Sequence, residues 1–297
     1  MQGLLGYGEE IIVLDDKSGR NNFPMFSGVK YVNIQLHHPD AFTTLIGNFQ
    51  RTKNNFVIHL AGSKSVALST KHPELFSERN LKSTKNLLEA MAISGVEKLI
   101  FSSTAAVYGT GSNLVDESSN VNPVSNYGKV KLMEEKEIQT AGQTFLNNYA
   151  ILRFFNVIGA NGKSQREKLG DNIFPQIALA IENREPFRIF GNKYKTIDGT
   201  CVRDYVDVRD LVVGIKKVIE IFNGETHETF NFGTGIGTSV LQIIEEVLKI
   251  QKFEIEFVAP RAGDIPSLVS SKTKVQNNLA WSPKYSLMES IESSFGN

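Results

Sequence analysis

Thr104, Tyr127 and Lys131 are the residues of this chain whose types and spacing could do chemistry. They stand in Leu99-Ile-Phe-Ser-Ser-Thr-Ala-Ala-Val-Tyr-Gly109 and Ser125-Asn-Tyr-Gly-Lys-Val-Lys131. On a helix, a phenol four residues before an ammonium shares a face with it, about one turn away. The ammonium favours the phenolate, so a tyrosine that is inert at neutral pH can become a base. Bringing a phenol from its usual pKa of about 10 to near 7 takes roughly 4 kcal/mol of differential stabilisation. The pair alone is weak: an amphipathic helix with an exposed lysine has the same spacing, and eight tyrosines make an accidental match easy.

The surrounding elements give the pair its meaning. An apolar strand, Lys98-Leu-Ile-Phe101, runs into small hydroxyl residues and ends at Tyr108-Gly109. Some twenty residues later a helix opens after Asn122-Pro123 and carries Tyr127 and Lys131. Further short apolar runs read as buried strands: Ile11-Ile-Val-Leu14, Tyr31-Val-Asn-Ile34, Phe56-Val-Ile-His59 and Tyr149-Ala-Ile-Leu-Arg-Phe154. Helical stretches lie between them, most clearly Asn80 to Ser94 and Asn126 to Thr140. Such alternation predicts an α/β fold with a doubly wound parallel sheet, whose ligands bind beyond the carboxyl ends of the strands.

These segments resemble the extended short-chain dehydrogenase/reductase superfamily, and within it the NDP-sugar epimerases of the UDP-glucose 4-epimerase type. The likeness runs over nearly the whole chain: His59-Leu-Ala-Gly62, Asn80 in Glu78-Arg-Asn-Leu81, Ser102-Ser-Thr-Ala-Ala-Val-Tyr-Gly109, Leu152-Arg-Phe-Phe-Asn156 and Gly159. Asp198-Gly-Thr-Cys-Val-Arg-Asp-Tyr205, Phe230-Asn-Phe-Gly-Thr-Gly235 and Arg261-Ala-Gly-Asp264 complete it. The resemblance implies a catalytic set of Thr104, Tyr127 and Lys131. It implies NAD as cofactor, held by Asp15, Asp16, Asn33, Ile34, Leu60, Ala61, Gly62, Lys64, Asn80, Tyr127, Lys131 and Phe154. A UDP-sugar would meet Thr104, Asn156, Asn172, Ile173, Arg203, Arg261 and Asp264. Leu268 falls near a position that governs N-acetyl substrates in the family, and leucine is neither the bulky nor the small extreme. A homodimer through two helices, one bearing Tyr127, is also implied.

Two domains follow: an NAD-binding Rossmann-type domain over 1–158, with elements returning around 205–235, and a smaller substrate region over 159–297. At 297 residues and 41% hydrophobic content the chain can bury such a core. A formal net charge of zero gives no electrostatic reason to expect nucleic acid or an anionic membrane. The single cysteine, Cys201, excludes an internal disulfide and fits a reducing, cytoplasmic compartment. No run approaches the roughly eighteen apolar residues of a membrane span, and no charged-then-apolar leader is seen. The five histidines show no ligand spacing, so no metal site is expected, and His37-His38-Pro39 reads as a loop before a helix.

The N-terminus departs from the family pattern. Ile11-Ile-Val-Leu-Asp-Asp16 looks like the second strand of the dinucleotide fold, with Asp15 favouring NAD over NADP by repelling the extra phosphate. A phosphate-cradling glycine loop belongs about twenty residues before that acid, yet only fourteen residues precede Asp15. The first strand, the glycine loop and most of the first helix are therefore expected to be missing. Gly3-Leu-Leu-Gly-Tyr-Gly8 reads as the end of that helix and its turn. Asn33 replaces the usual aspartate near the adenine, mildly, because an amide can still accept from the adenine amino group.

Sugar-nucleotide dehydratases of this superfamily carry an acidic pair directly after the catalytic hydroxyl residue. Here Ala105 and Ala106 stand there, and alanine cannot do acid–base work. Three readings stay open: a 4-epimerase, a sugar-nucleotide reductase or dehydrogenase with net cofactor turnover, and a binder without turnover.

Overall fold

The apolar runs form strands, each ending within three residues of where its run ends. The computed structural model describes residues 2–6, 10–17, 25–49, 55–63, 69, 71–109, 113–162, 165–166, 170, 172–261 and 263–295. In chain order these give β1 (Ile11–Asp15), β2 (Val29–Asn33), α1 (Ala41–Asn48), β3 (Val57–His59), α2 (Pro73–Ser94) and β4 (Lys98–Thr104). Then come β5 (Leu114–Val115), α3 (Asn126–Gly142), β6 (Asn148–Phe154), β7 (Asn156–Ile158), α4 (Ile173–Asn183), β8 (Phe187–Phe190) and β9 (Val202–Asp207). The last third holds α5 (Val208–Glu220), β10 (Thr226–Phe232), β11 (Gly237–Ser239), α6 (Val240–Ile250), β12 (Ile255–Val258), β13 (Ser267–Ser270), α7 (Thr273–Leu279) and α8 (Leu287–Phe295).

The chain divides into two discontinuous units. The first holds Met1–Val107, Ser125–Arg153 and Ile215–Phe230; the second holds Tyr108–Val124, Phe154–Gly214 and Asn231–Asn297. The first unit breaks at Arg153 rather than at 158, and the segment that returns to it is Ile215–Phe230. β7 pairs in parallel with β9, so the chain changes unit directly after Arg153. Tyr108–Val124 also belongs to the second unit, because its strand β5 pairs with β13. No apolar run announces that two-residue strand. Gly109 starts the excursion with φ +69°, and a Cβ there would collide with the Asn122 carbonyl, so only glycine fits.

In the first unit, β1 and β2 pair in parallel, from Ile11 opposite Val29 to Asp15 opposite Asn33. A separate sheet has the order β10-β6-β4-β3, with β3 and β4 parallel. Leu45, Leu87, Met91, Leu99, Phe101, Ile138 and Ile151 form the core, with Leu14, Val32 and Val57 packed against it. One helix layer, α1, α2 and α3, therefore covers strands of both sheets. Helix α2 starts two turns before the expected Asn80. Its exposed opening residues carry no apolar period, and Pro73 presets the helical φ at its first position. Gly95 ends it in the left-handed conformation.

The second unit is built on the order β11-β9-β13-β5, with β7 beside β9 and a parallel β12-β8 pair. Ile177, Ile189, Tyr205, Ile243, Ile244, Val247 and Ile291 are its core. Among the described residues, no helix is long and apolar enough to cross a membrane.

Candidate active site

Two elements of the first unit bring the reactive residues together. β4 ends on Thr104, and α3 carries Tyr127 in its first turn and Lys131 one turn on. The start of α3 is fixed by Ser125, whose side chain accepts a hydrogen bond from the Gly128 N–H at 3.0 Å. Such a cap contributes about 1 kcal/mol and sets the phase of the helix. Thr104 Oγ1 accepts from the Ala106 N–H at 3.2 Å, and its hydroxyl is near enough to the Tyr127 phenol to lower that group's pKa. The phenol ring meets Phe76 edge-on at 6.3 Å. The Lys131 ammonium is 4% exposed, sits over the Phe101 ring at 4.5 Å and lies 3.2 Å from Glu134 Oε2.

Behind the lysine runs a buried polar chain. Thr84 Oγ1 donates to Glu134 Oε1 at 2.6 Å and lies 3.0 Å from His59 Nε2. Since the hydroxyl gives its proton to the carboxylate, the imidazole donates to the hydroxyl, so His59 is the Nε2–H tautomer. Burial, and after it the Lys131 charge, lowers the His59 pKa to about 3, which keeps the ring neutral. Glu135, the next residue of α3, faces a different partner set. Arg153 donates to it twice, Nε to Oε1 at 3.1 Å and Nη2 to Oε2 at 2.7 Å, and the Ser103 hydroxyl donates as well.

The electrostatics correct one expectation. The sequence places an ammonium beside the phenol to lower its pKa, yet in the protein alone Tyr127 is pushed up to about 12. Burial is the largest cause and the Glu134 charge adds to it, while the Thr104 hydrogen bond acts against them. The ammonium lies 3.2 Å from Glu134, and it does not offset the burial of the phenol.

The residues expected to hold a dinucleotide gather at carboxyl ends of strands. Asp15 and Asn33 close β1 and β2 opposite one another; Asp16 follows, and the Ile34 N–H donates to the Asp15 carbonyl at 3.1 Å. Leu60, Ala61 and Gly62 follow β3. Buried Asn80 clamps that turn: its Oδ1 accepts from the Ser63 N–H at 2.9 Å, and its Nδ2 donates to the Ser63 carbonyl at 3.0 Å. A Cβ on Gly62 would stand 3.6 Å from Lys131 Nζ, so backbone and ammonium converge here. Lys64 lies outside the described residues, as do Tyr7 and Gly8 of the N-terminal glycine segment.

The other named residues belong to the second unit. Phe154 packs edge-on against Phe232, with centroids 6.1 Å apart. Asn156 is exposed at the start of β7, Asn172 precedes α4 and Ile173 opens it. Arg203 Nη1 donates to the carbonyls of Val202 and Ile265, at 2.8 and 2.6 Å. Leu268, beside Arg203 in the β13–β9 register, is buried. Arg261 stacks its guanidinium 3.7 Å over the Phe190 ring, and Asp264 accepts from the Tyr194 hydroxyl at 3.5 Å. Cys201 is buried, which raises its thiol pKa. Sequence reasoning missed Thr84, Glu134 and Glu135. The signal was present: Tyr127, Lys131 and Glu134 follow one another at four and three residues, a single helical face.

A parallel sheet with ligand-type residues at its carboxyl ends, and a Thr–Tyr–Lys set beside them, defines a Rossmann-type short-chain dehydrogenase/reductase. The profile of the "NAD dependent epimerase/dehydratase family" matches residues 1–233, and the chain belongs to that family. A UDP-glucose 4-epimerase of Halalkalibacterium halodurans is 32% identical over 299 residues, covering 97% of this chain and 87% of the relative. A crystal structure of a UDP-glucose 4-epimerase superposes with TM-score 0.90 at 31% identity, covering 99% of this chain and 92% of that one. The Bifidobacterium longum UDP-glucose 4-epimerase, solved in complex with NAD+ and UDP, gives TM-score 0.86 at 28% identity, with the same coverage of 99% and 92%.

Proposed function

We propose that this chain epimerises C4 of a UDP-sugar of the UDP-glucose/UDP-galactose type, with NAD, through a transient 4-keto sugar. The observation that carries the proposal is the convergence of Thr104, at the end of β4, with half-buried Tyr127 and buried Lys131 on one face of α3. Asp15, Asn33 and Ile34 suit the adenosine end of NAD, and the Gly62–Asn80–Lys131 convergence suits the nicotinamide ribose. When bound, NAD supplies a reversible hydride acceptor and a positive charge.

The residues of the chain divide the rest of the work. Tyr127 as phenolate takes the proton of the sugar 4-hydroxyl and later returns it. Thr104 hydrogen-bonds the reacting oxygen and aligns it. Lys131 stabilises the phenolate once its ammonium is drawn toward a ligand. Asn156, Asn172, Ile173, Arg203, Arg261 and Asp264 serve the nucleotide end, where a guanidinium suits a diphosphate better than an ammonium does. With Ala105 and Ala106 after the threonine, no carboxylate follows it to remove a C5 proton, so the sugar leaves inverted rather than dehydrated. A cytoplasmic homodimer through α2 and α3 belongs to the same reading; Leu75 and Met133 leave apolar surface exposed on those helices.

Tyr127→Phe tests the proposal. Epimerase activity, followed by conversion of UDP-galactose to UDP-glucose, should fall by about 10²–10⁴-fold with the folding midpoint unchanged. Equal activity in the variant would end the mechanism. Net NADH formation per turnover would instead support the reductase reading. Denaturing the purified chain should release NAD; no NAD, and none taken up at millimolar concentration, would favour the binder without turnover.

A further inference from the structure

Glu134 has no task in the reaction just derived, yet it is the anion nearest the reacting lysine. It is 0% exposed. Its Oε1 is fixed by Thr84, and its Oε2 lies 3.2 Å from Lys131 Nζ in an orientation that makes no hydrogen bond. Among the described residues, that oxygen is one of three buried side-chain polar atoms without a hydrogen-bond partner. An isolated buried carboxylate is costly, and this one faces an ammonium that is near it but not aligned with it.

We propose that Glu134 is a positioning residue: it parks Lys131 and, through it, sets the pH at which Tyr127 can act as a base. The inference rests on the epimerase reading and deepens it. Held by Thr84 on one oxygen, the carboxylate stays in place while the ammonium turns. The ammonium can therefore swing toward a hydroxyl near Gly62 without breaking an aligned hydrogen bond. While parked, the pair presents almost no net charge to the phenol, and the carboxylate opposes ionisation of Tyr127.

Among the described residues, the groups facing this centre are few. Helix α3 itself supplies Tyr127, Lys131 and Glu134. From β4 comes the Thr104 hydroxyl, from α2 come Asn80 and Thr84, and from β3 comes neutral His59. Lys85 and Glu137 pair with one another at the exposed rim of α2 and α3, and Glu135 is held by Arg153 and Ser103.

Glu134→Gln tests the assignment. The amide has the same shape, can donate to Thr84 and can offer its oxygen to Lys131. Titration of Tyr127 is followed by NMR of ring-labelled tyrosine, with Tyr127→Phe assigning the resonance, with NAD present and without it. The phenol should titrate lower in the variant by on the order of one pH unit, and the acid limb of kcat/KM should move down by the same amount. Superimposable titration curves would overturn the proposal, even if the variant were less stable or less active. The titration needs no turnover, so a failure of the epimerase reading shows separately, as a native chain without activity. If Glu134→Gln does not fold, Glu134→Asp withdraws the same charge by one methylene. It should give a smaller fall in the same direction, and no fall would count against the proposal.

Discussion

Glu134 and Glu135 are neighbours on one helix, both buried, and their surroundings differ in kind. Glu135 faces a guanidinium through two aligned hydrogen bonds and accepts a third from Ser103. Glu134 faces an ammonium without alignment and a hydroxyl that relays to a neutral imidazole. The closed arrangement ties α3 to β4 and β6, and nothing in it is left to exchange. The open one holds the charge that the chemistry needs to move. A bidentate fork loses much of its energy when misaligned, whereas an ammonium on a flexible stem can be redirected. On the proposal above, the difference separates a carboxylate that serves the fold from one that serves the site.

The largest predicted effect would break that comparison outright. Glu135→Gln leaves the Arg153 guanidinium buried without its counter-charge, a loss of about 3–5 kcal/mol. Urea unfolding should show a clear drop, larger than that of Glu134→Gln, because Lys131 can reorient and Arg153 cannot. The reverse ranking would mean that the open pair carries the fold.

Acid provides the next test. His59 has a folded pKa of about 3 against its ordinary 6.5, so the unfolded chain takes up its proton first. The stability contributed by the neutral ring is whole above pH 6.5 and drains away as pH falls toward about 3, by a few kcal/mol in all. Unfolding measured across the window in the native chain and in His59→Gln should give a flatter slope for the variant. Identical slopes would remove His59 from the account.

How much of this was legible beforehand follows from sequence distance. Tyr127 and Lys131 are four residues apart, so local spacing reveals the pair, while the Ser125 cap three residues before Gly128 shows only in the structure. β1, β4 and β6 announce themselves by short apolar runs within them, Ile11-Ile-Val-Leu14, Leu99-Ile-Phe101 and Tyr149-Ala-Ile-Leu152. Glu134 meets Thr84 across 50 positions and Glu135 meets Arg153 across 18, and no local pattern links them. A run such as Glu134-Glu-Lys-Glu137 reads as a solvated helix face until the helix is seen to bury two of the four. Two-residue β5 was invisible for a different reason: its pairing with β13 spans the sequence from Leu114 to Val269. At Tyr127 the sequence shows the lysine and hides the burial and the carboxylate that oppose ionisation of the phenol in the protein alone.

The smallest predicted effect separates the two sides of α3 by their distance from its start. Ser125→Ala removes the cap and should cost about 1 kcal/mol, read as a shift in the urea midpoint. Helix ends fray over their first turn, so the loss falls on Tyr127, two residues inside, before it reaches Glu134 and Glu135. The closed pair should then keep its contribution, with unfolding still cooperative, while kcat falls by more than the small change in stability accounts for. An equal cost to both would mean that α3 responds as one rigid rod, and that Tyr127 is held by Thr104 and Phe76 rather than by the start of its own helix.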